Sequence, residues 1–173
     1  MNAIETVQYV LADHFSKLTD RISNFTETGC SFEEWFNWEC FHAFVASGLE
    51  CRPKPSYSEF EGELKNKLAD FAVTLKTGEK VVFEVKLVHD YTQNKWSSEI
   101  EKDNEKLKTI KNDVKAIQIL VLTSEYEDLM KNEAWSKFLH GLSFWQMMTD
   151  VKINLPLTNG GQMLIYGGVV NQT

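Results

Sequence analysis

Residues 67–88 read KLADFAVTLKTGEKVVFEVKLV, and this stretch decides the fold that the sequence predicts. It holds two apolar runs, 67–75 and 80–88, joined by four residues that include Gly78. Short apolar runs on either side of a glycine-containing turn are typical of a β-hairpin. We therefore expect two adjacent antiparallel strands here.

Charged side chains interrupt both strands of this hairpin. Because side chains alternate between the two faces of a strand, Glu84 and Lys86 are expected to share one face. The other face carries four apolar side chains: Val81, Phe83, Val85 and Leu87. Hairpin pairing would bring Asp70 near Glu84, and two close carboxylates repel each other unless a cation lies between them. Carboxylate oxygens suit a hard divalent cation such as Mg²⁺, and a nearby lysine can stabilise phosphate charge.

The segments around the hairpin predict an α/β fold. Helices are expected at 3–22, at 31–47 with a capping box formed by Ser31 and Glu34, at 97–110, and from Ser124 to about 139. Strands are expected at 116–122, buried on both faces, and near 144–155 and 162–170, whereas 51–58 is expected to be a loop. The prediction is a mixed central sheet flanked by helices, in a single domain over 1–173, because no repeat or long linker divides the chain.

Asp70, followed by thirteen residues and then Glu84, Val85 and Lys86, resembles the core motif of the PD-(D/E)XK nuclease superfamily. That family has a restriction-endonuclease-like fold, and the resemblance covers roughly residues 31–123. The order of a helix, a hairpin, a second helix and a buried strand matches as well. Ala69 stands where the family commonly has a proline.

The resemblance implies a metal-dependent nuclease and gives the motif residues their functions. Asp70, Glu84 and the backbone carbonyl of Val85 would be the Mg²⁺ ligands, with Mn²⁺ as a substitute. Lys86 would assist the attacking water.

The resemblance also implies site residues outside the hairpin. An acidic residue on the preceding helix would hold a metal-bound water or a second metal. Of the three glutamates there, Glu33, Glu34 and Glu39, we favour Glu39 because its helical neighbours put it on a largely buried stripe. Downstream, Gln93 and Lys95 are expected to contact phosphate.

The motif tripeptide is not specific by itself. Acid-x-Lys triplets occur at 63–65, 84–86, 113–115 and 150–152. Only the second lies in a clear apolar strand, follows a hairpin turn and has an aspartate at a suitable distance on the preceding strand. The alternative interpretation is that Glu84 and Lys86 belong to an ordinary solvated strand face.

Composition excludes several classes of protein. Three scattered cysteines among 173 residues do not make a disulfide-stapled scaffold, and no apolar run approaches the length of a membrane span. The first residues lack the pattern of a signal peptide, so a soluble cytoplasmic protein is expected. The net charge of −7 argues against a protein that coats nucleic acid, but residues 65–115 carry 11 lysines and 9 acids. A polyanion would approach this middle third with the least repulsion.

The sequence therefore predicts a Mg²⁺-dependent enzyme that hydrolyses phosphodiester bonds in nucleic acid, with DNA as the expected substrate and RNA left open. A homodimer mate or a protein partner would supply additional basic surface. The main alternative is a non-catalytic binding or regulatory module on the same fold. A third interpretation takes the aromatic second helix, with Trp35 and Trp38, as a surface for a protein partner.

Overall fold

A six-stranded mixed sheet with helices packed against both faces forms the centre of the structure. The computed structural model describes residues 1–60, 64, 66–111 and 113–170. Its helices are α1 (Ala3–Phe15), α2 (Thr19–Thr28), α3 (Glu33–Ala46), α4 (Gln93–Leu107) and α5 (Glu133–Gly141). Its strands are β1 (Glu50–Pro53), β2 (Phe71–Thr74), β3 (Lys80–His89), β4 (Val114–Ser124), β5 (Val151–Pro156) and β6 (Gln162–Val169).

The strands lie in the order β1-β2-β3-β4-β6-β5. Only β3 and β4 pair in parallel, and α4 makes the crossover between them; the other neighbours are antiparallel. This arrangement confirms an α/β fold with a mixed sheet flanked by helices. Within the described residues, no helix has the combination of length and apolar character needed to cross a bilayer.

Apolar side chains cover both faces of the central strands. The odd-numbered residues of β3 from Val81 to Leu87 pack with α1 and α3, whereas Val82 and Val88 pack on the opposite face with α4 and the elements near it. Strand β4 is likewise divided, with Ile119 on the first face and Leu120 on the second. Both findings confirm the sequence prediction: alternation with period two places side chains on opposite faces of a strand, and an almost wholly apolar strand indicates a sheet covered on both faces.

The hairpin is confirmed, but its first strand is shorter than expected. Strand β2 covers only Phe71–Thr74 of the predicted 67–75, and Phe71 pairs with Phe83. The regular backbone hydrogen bonding between β2 and β3 ends at this pair. Beyond it, the amide of Val85 donates to the side chain of Asp70 and not to its backbone. The segment expected to be a loop contains the edge strand β1, whose Cys51 pairs with Val73.

The N-terminal helix prediction was wrong in its length. The expected helix 3–22 is two helices, because the amides of Lys17 and Leu18 bond to carbonyls three residues back and tighten the end of α1. Apolar spacing continues across the break, with Phe15 and Ile22 both buried, so periodicity alone did not reveal it. The capping box was also wrong: α3 begins at Glu33 without a side-chain cap.

Three further boundaries differ from the prediction. Helix α4 begins at Gln93, four residues before the expected start at 97. The helix expected to begin at Ser124 is α5, which begins at Glu133 and is capped by Asn132. Ser124 instead ends β4, and its hydroxyl donates to Asp90. The strand expected at 144–155 is β5, which starts only at Val151 after a short 3₁₀ turn. Strand β6 confirms the prediction for 162–170 to within one residue.

Candidate functional site

The site forms where β3 continues beyond the end of β2. From Glu84 onward, no strand within the described residues lies beside β3 on the β2 side, and carboxylates accept from its amides instead. The amide of Val85 donates to Oδ2 of Asp70 over 2.8 Å, and the amide of Leu87 donates to Oε2 of Glu33 over 2.9 Å. The amide and carbonyl of one strand residue point the same way, so the Val85 carbonyl also faces this opening.

Asp70 and Glu84 come from neighbouring strands and meet at this opening. Phe71 pairs with Phe83, and the amide of Asp70 still donates to the carbonyl of Phe83, so Asp70 lies across from Glu84. Residues directly opposite each other in an antiparallel pair have Cβ atoms about 5 Å apart. The charge of Asp70 also raises the pKa of Glu84. The structure thus brings together the two acids that the sequence singled out.

Glu84 is a buried carboxyl, with only 4% of the residue exposed. Its Oε1 accepts from the Tyr57 hydroxyl over 2.6 Å and lies 3.5 Å from Nζ of Lys106, which also pairs with Asp103. Burial, followed by the charge of Asp70, raises the pKa of Glu84 to about 8, against the lowering effects of Tyr57 and Lys106. This carboxyl therefore holds its proton at neutral pH when no cation compensates its charge.

Asp70 is less enclosed and carries a lysine on its second oxygen. Nζ of Lys54 lies 2.9 Å from Oδ1 of Asp70 and 3.7 Å from Oε2 of Glu34. Lysine ammonium groups thus lie against both acids, Lys54 on Asp70 and Lys106 on Glu84. The negative charge of Asp70 and of the acids near it stabilises a cation at the position of the Lys54 ammonium, and a metal ion there would be stabilised in the same way.

Lys86 follows Glu84 by two residues on β3, and its ammonium turns toward α3 and α4. Nζ is 3.2 Å from Oε1 of Glu33 and 5.3 Å from the centre of the Trp96 ring. Nζ of Lys95 lies 4.6 Å from the centre of the same ring. Lys95 therefore neighbours the motif lysine through Trp96, while Gln93 is buried in the first turn of α4.

Glu39 makes its contacts elsewhere on α3. Its carboxylate lies 2.7 Å from Nε2 of His14 and 3.5 Å from Nη1 of Arg21, where α3 meets the first two helices. Six residues separate Glu33 from Glu39, which puts them about 120° apart around the helix. Since Glu33 faces Lys86, it is the α3 acid that the structure brings to the motif strand. The predicted function of Glu39 stays a prediction.

Sequence reasoning missed three residues of this site, Lys54, Tyr57 and Lys106, and it ranked Glu33 below Glu39. Lys54 had a readable signal, since it lies between Pro53 and Pro55 in a rigid segment. Tyr57 and Lys106 had none, because their approach to Glu84 depends on how their elements pack.

The oxygen donors at the opening fit a hard divalent cation. Two carboxylates and a main-chain carbonyl supply oxygen ligands only, and Mg²⁺ commonly completes its shell with waters and phosphate oxygens. Across the parts of the chain that the structure describes, no group of three or more His, Cys, Asp or Glu side chains could hold a metal ion. A metal at this opening would therefore depend on Asp70, Glu84 and the Val85 carbonyl.

Comparison of the chain with protein-family models, with curated proteins and with solved structures found no match in any of the three.

Proposed function

We propose that this protein is a metal-dependent nuclease with a restriction-endonuclease-like core, which hydrolyses phosphodiester bonds in nucleic acid, with DNA as the first substrate to try. One observation carries the proposal: Asp70 and Glu84 approach each other at the end of the β2–β3 pairing, and Lys86 follows on the same strand. The order of α3, the β2–β3 hairpin, α4 and β4 agrees with the order that the motif's resemblance implies.

Each residue has a separate task in this hydrolysis. A divalent cation bound at the opening would supply Lewis-acid polarisation of the phosphate. Asp70 and Glu84 would contribute the anionic oxygens that hold it, with Glu84 releasing its proton to solvent. Lys86, held by Glu33, would stabilise charge on the phosphate or on a water that loses its proton. The water oxygen would bond to phosphorus as the bond from phosphorus to the leaving oxygen breaks; the water proton would pass to solvent, and the leaving oxygen would take up a proton from solvent.

Cleavage assays on the purified protein test this proposal. End-labelled duplex DNA, single-stranded DNA and RNA would be incubated with Mg²⁺, with Mn²⁺ and with EDTA. We expect metal-dependent cleavage of at least one substrate, and a loss of at least about hundredfold in Asp70→Asn and Lys86→Ala.

Two control variants each break an ion pair that lies away from the site. Asp128→Asn breaks the exposed ion pair between Asp128 and Lys131. Lys115→Ala breaks the ion pair between Lys115, on β4, and Glu79. Both should cleave like the unaltered protein. Absence of metal-dependent cleavage on all three substrates would refute the nuclease proposal.

The second candidate is a non-catalytic module that binds nucleic acid. The contacts of Lys54 with Asp70 and of Lys106 with Glu84 favour it, because an internal ammonium group already lies beside each acid where a metal would bind. For such a module, binding to labelled DNA or RNA would be unchanged by EDTA and by Asp70→Asn, and no cleavage would occur.

A further inference from the structure

Lys54, Asp70 and Glu84 each lie one position beyond the last paired residues of the β1–β2–β3 ladder. Pro53 pairs with Phe71, and Phe71 pairs with Phe83. The amide of Lys54 donates to the carbonyl of Asp70 over 2.9 Å, and the amide of Asp70 donates to the carbonyl of Phe83. The lysine is thus fixed by main-chain bonds beside the acids.

The backbone at Lys54 is held in an unfavourable conformation. Its φ is +47°, in the left-handed region, where a side chain with a Cβ costs about 1–2 kcal/mol. Pro53 precedes it and Pro55 follows it, so rotation is restricted on both sides. The chain therefore positions a lysine at a point where glycine or asparagine would fit the backbone better.

The Lys54 ammonium pairs with Asp70, and the lysine side chain is more exposed than its partner. Burial works against its charge, but the hydrogen bond and charge of Asp70, with the charges of Glu34 and Glu84, raise the pKa of Lys54 overall. Its side chain is 44% exposed, against 15% for Asp70. Lys106, by comparison, is 29% exposed and tied to Asp103 as well as to Glu84.

We propose that Lys54 is the phosphate-binding residue of this site: its ammonium neutralises Asp70 when no metal is bound, and on metal binding it moves to a non-bridging oxygen of the substrate phosphate. The inference rests on the proposed nuclease function. A metal ion and an ammonium compete for Oδ1 of Asp70, and the displaced ammonium stays within a side chain's reach of any phosphate that the metal holds. Lys86 remains with Glu33 and acts on the water or on phosphate charge.

This proposal predicts that loss of the Lys54 ammonium strengthens the binding of Mn²⁺ and weakens the binding of the nucleic-acid substrate. In Lys54→Met, removal of the competing cation should tighten Mn²⁺ binding by about three- to tenfold in the absence of nucleic acid. The same variant should raise KM for the cleaved substrate about tenfold at saturating Mn²⁺, because one charged phosphate contact is lost. A lysine with a purely structural function would weaken both or change neither.

Isothermal titration calorimetry with Mn²⁺ alone measures the metal affinity, and steady-state cleavage kinetics measure KM. Lys54→Asn is the second variant, since asparagine tolerates the left-handed backbone and should fold where Lys54→Met does not. Lys115→Met, whose amine pairs with Glu79, is the control and should change neither reading.

The outcomes separate the two proposals. Tighter Mn²⁺ binding together with a raised KM supports the assignment of Lys54. If the unaltered protein binds Mn²⁺ and cleaves, but both Lys54 variants behave like it or bind Mn²⁺ more weakly, the assignment is overturned and the nuclease proposal stands. If the unaltered protein neither binds Mn²⁺ nor cleaves, both proposals fail.

Discussion

The hydroxyl of Tyr57 donates to Oε1 of Glu84 over 2.6 Å, across 27 residues of sequence. Tyr57 is fully buried in the 3₁₀ turn Tyr57–Phe60, which follows β1, so this bond ties the segment before the hairpin to the motif strand. The bond lowers the pKa of Glu84, although burial and the charge of Asp70 outweigh it. Tyr57 thus contributes both to the stability of the fold and to the charge of the site.

Removal of this hydroxyl should destabilise the protein. In Tyr57→Phe the buried Oε1 of Glu84 loses a donor, which should lower the free energy of unfolding by about 1–3 kcal/mol. Urea unfolding at pH 7 measures the change. Tyr9→Phe, at a tyrosine that is 62% exposed, is the control and should stay within about 0.5 kcal/mol of the unaltered protein. Equal unfolding midpoints for the two variants would contradict this prediction.

The stability of the protein should fall as the pH rises toward 8. The pKa of Glu84 is raised from 4.5 to about 8, so between these values the folded protein holds a proton that the unfolded chain has lost. Each pH unit in this range should lower the free energy of unfolding by up to about 1.4 kcal/mol through this group. The groups that act on Glu84 are Tyr57, Asp70, Asp103 and Lys106.

Glu84→Gln isolates this contribution, because glutamine does not titrate. Urea unfolding between pH 5 and pH 9 should give a flatter stability profile for the variant, with its largest advantage near pH 8 and above. Parallel profiles for the two proteins would show that Glu84 does not carry a raised pKa.

Cation binding should release a proton. Because Glu84 is protonated below about pH 8, Mn²⁺ affinity should weaken about tenfold for each pH unit below that value. Calorimetry at pH 7 in two buffers of different ionisation enthalpy should report about one proton released per cation. Heats that do not depend on the buffer would rule out Glu84 as the titrating ligand.

Substitution of Glu33 should affect cleavage, whereas substitution of Glu39, also on α3, should affect stability. Glu33→Gln keeps an oxygen for the Leu87 amide but loses the charge beside Lys86, so metal-dependent cleavage should fall by about tenfold or more. Glu39→Gln loses the carboxylate that contacts His14 and the ion pair with Arg21, which should cost roughly 0.5–1 kcal/mol of stability and leave cleavage within about twofold. Cleavage rates and urea midpoints on both variants decide the matter. The reverse pattern would support the sequence-based preference for Glu39.

The hairpin and its neighbours could be predicted because their patterns are local. Alternation along β3 puts Val85 in the core and Glu84 on the other face, and no other regular structure accommodates that order of residues. The almost wholly apolar segment 116–122 of β4 likewise indicates cover on both faces of the sheet. These two features fix the mixed sheet and bring Asp70 opposite Glu84.

The rest of the site depends on packing between distant elements. Three glutamates share α3, and the direction that faces β3 is decided by the buried contacts of Phe36 and Phe44 with the sheet. The approach of Tyr57 and Lys106 to Glu84 depends in the same way on elements 27 and 22 residues away. The sequence pattern shows which residues carry charge, but not which partner each one meets.

Anomalous diffraction from crystals soaked in Mn²⁺ tests the central claim most directly. We predict a single strong peak between Oδ1 of Asp70, the carboxylate of Glu84 and the carbonyl oxygen of Val85, with the Lys54 ammonium displaced from Asp70. No peak at this position in crystals soaked at pH 8 or above, with Lys54 still on Asp70 and Lys106 still on Glu84, would contradict the claim that these acids form a metal site.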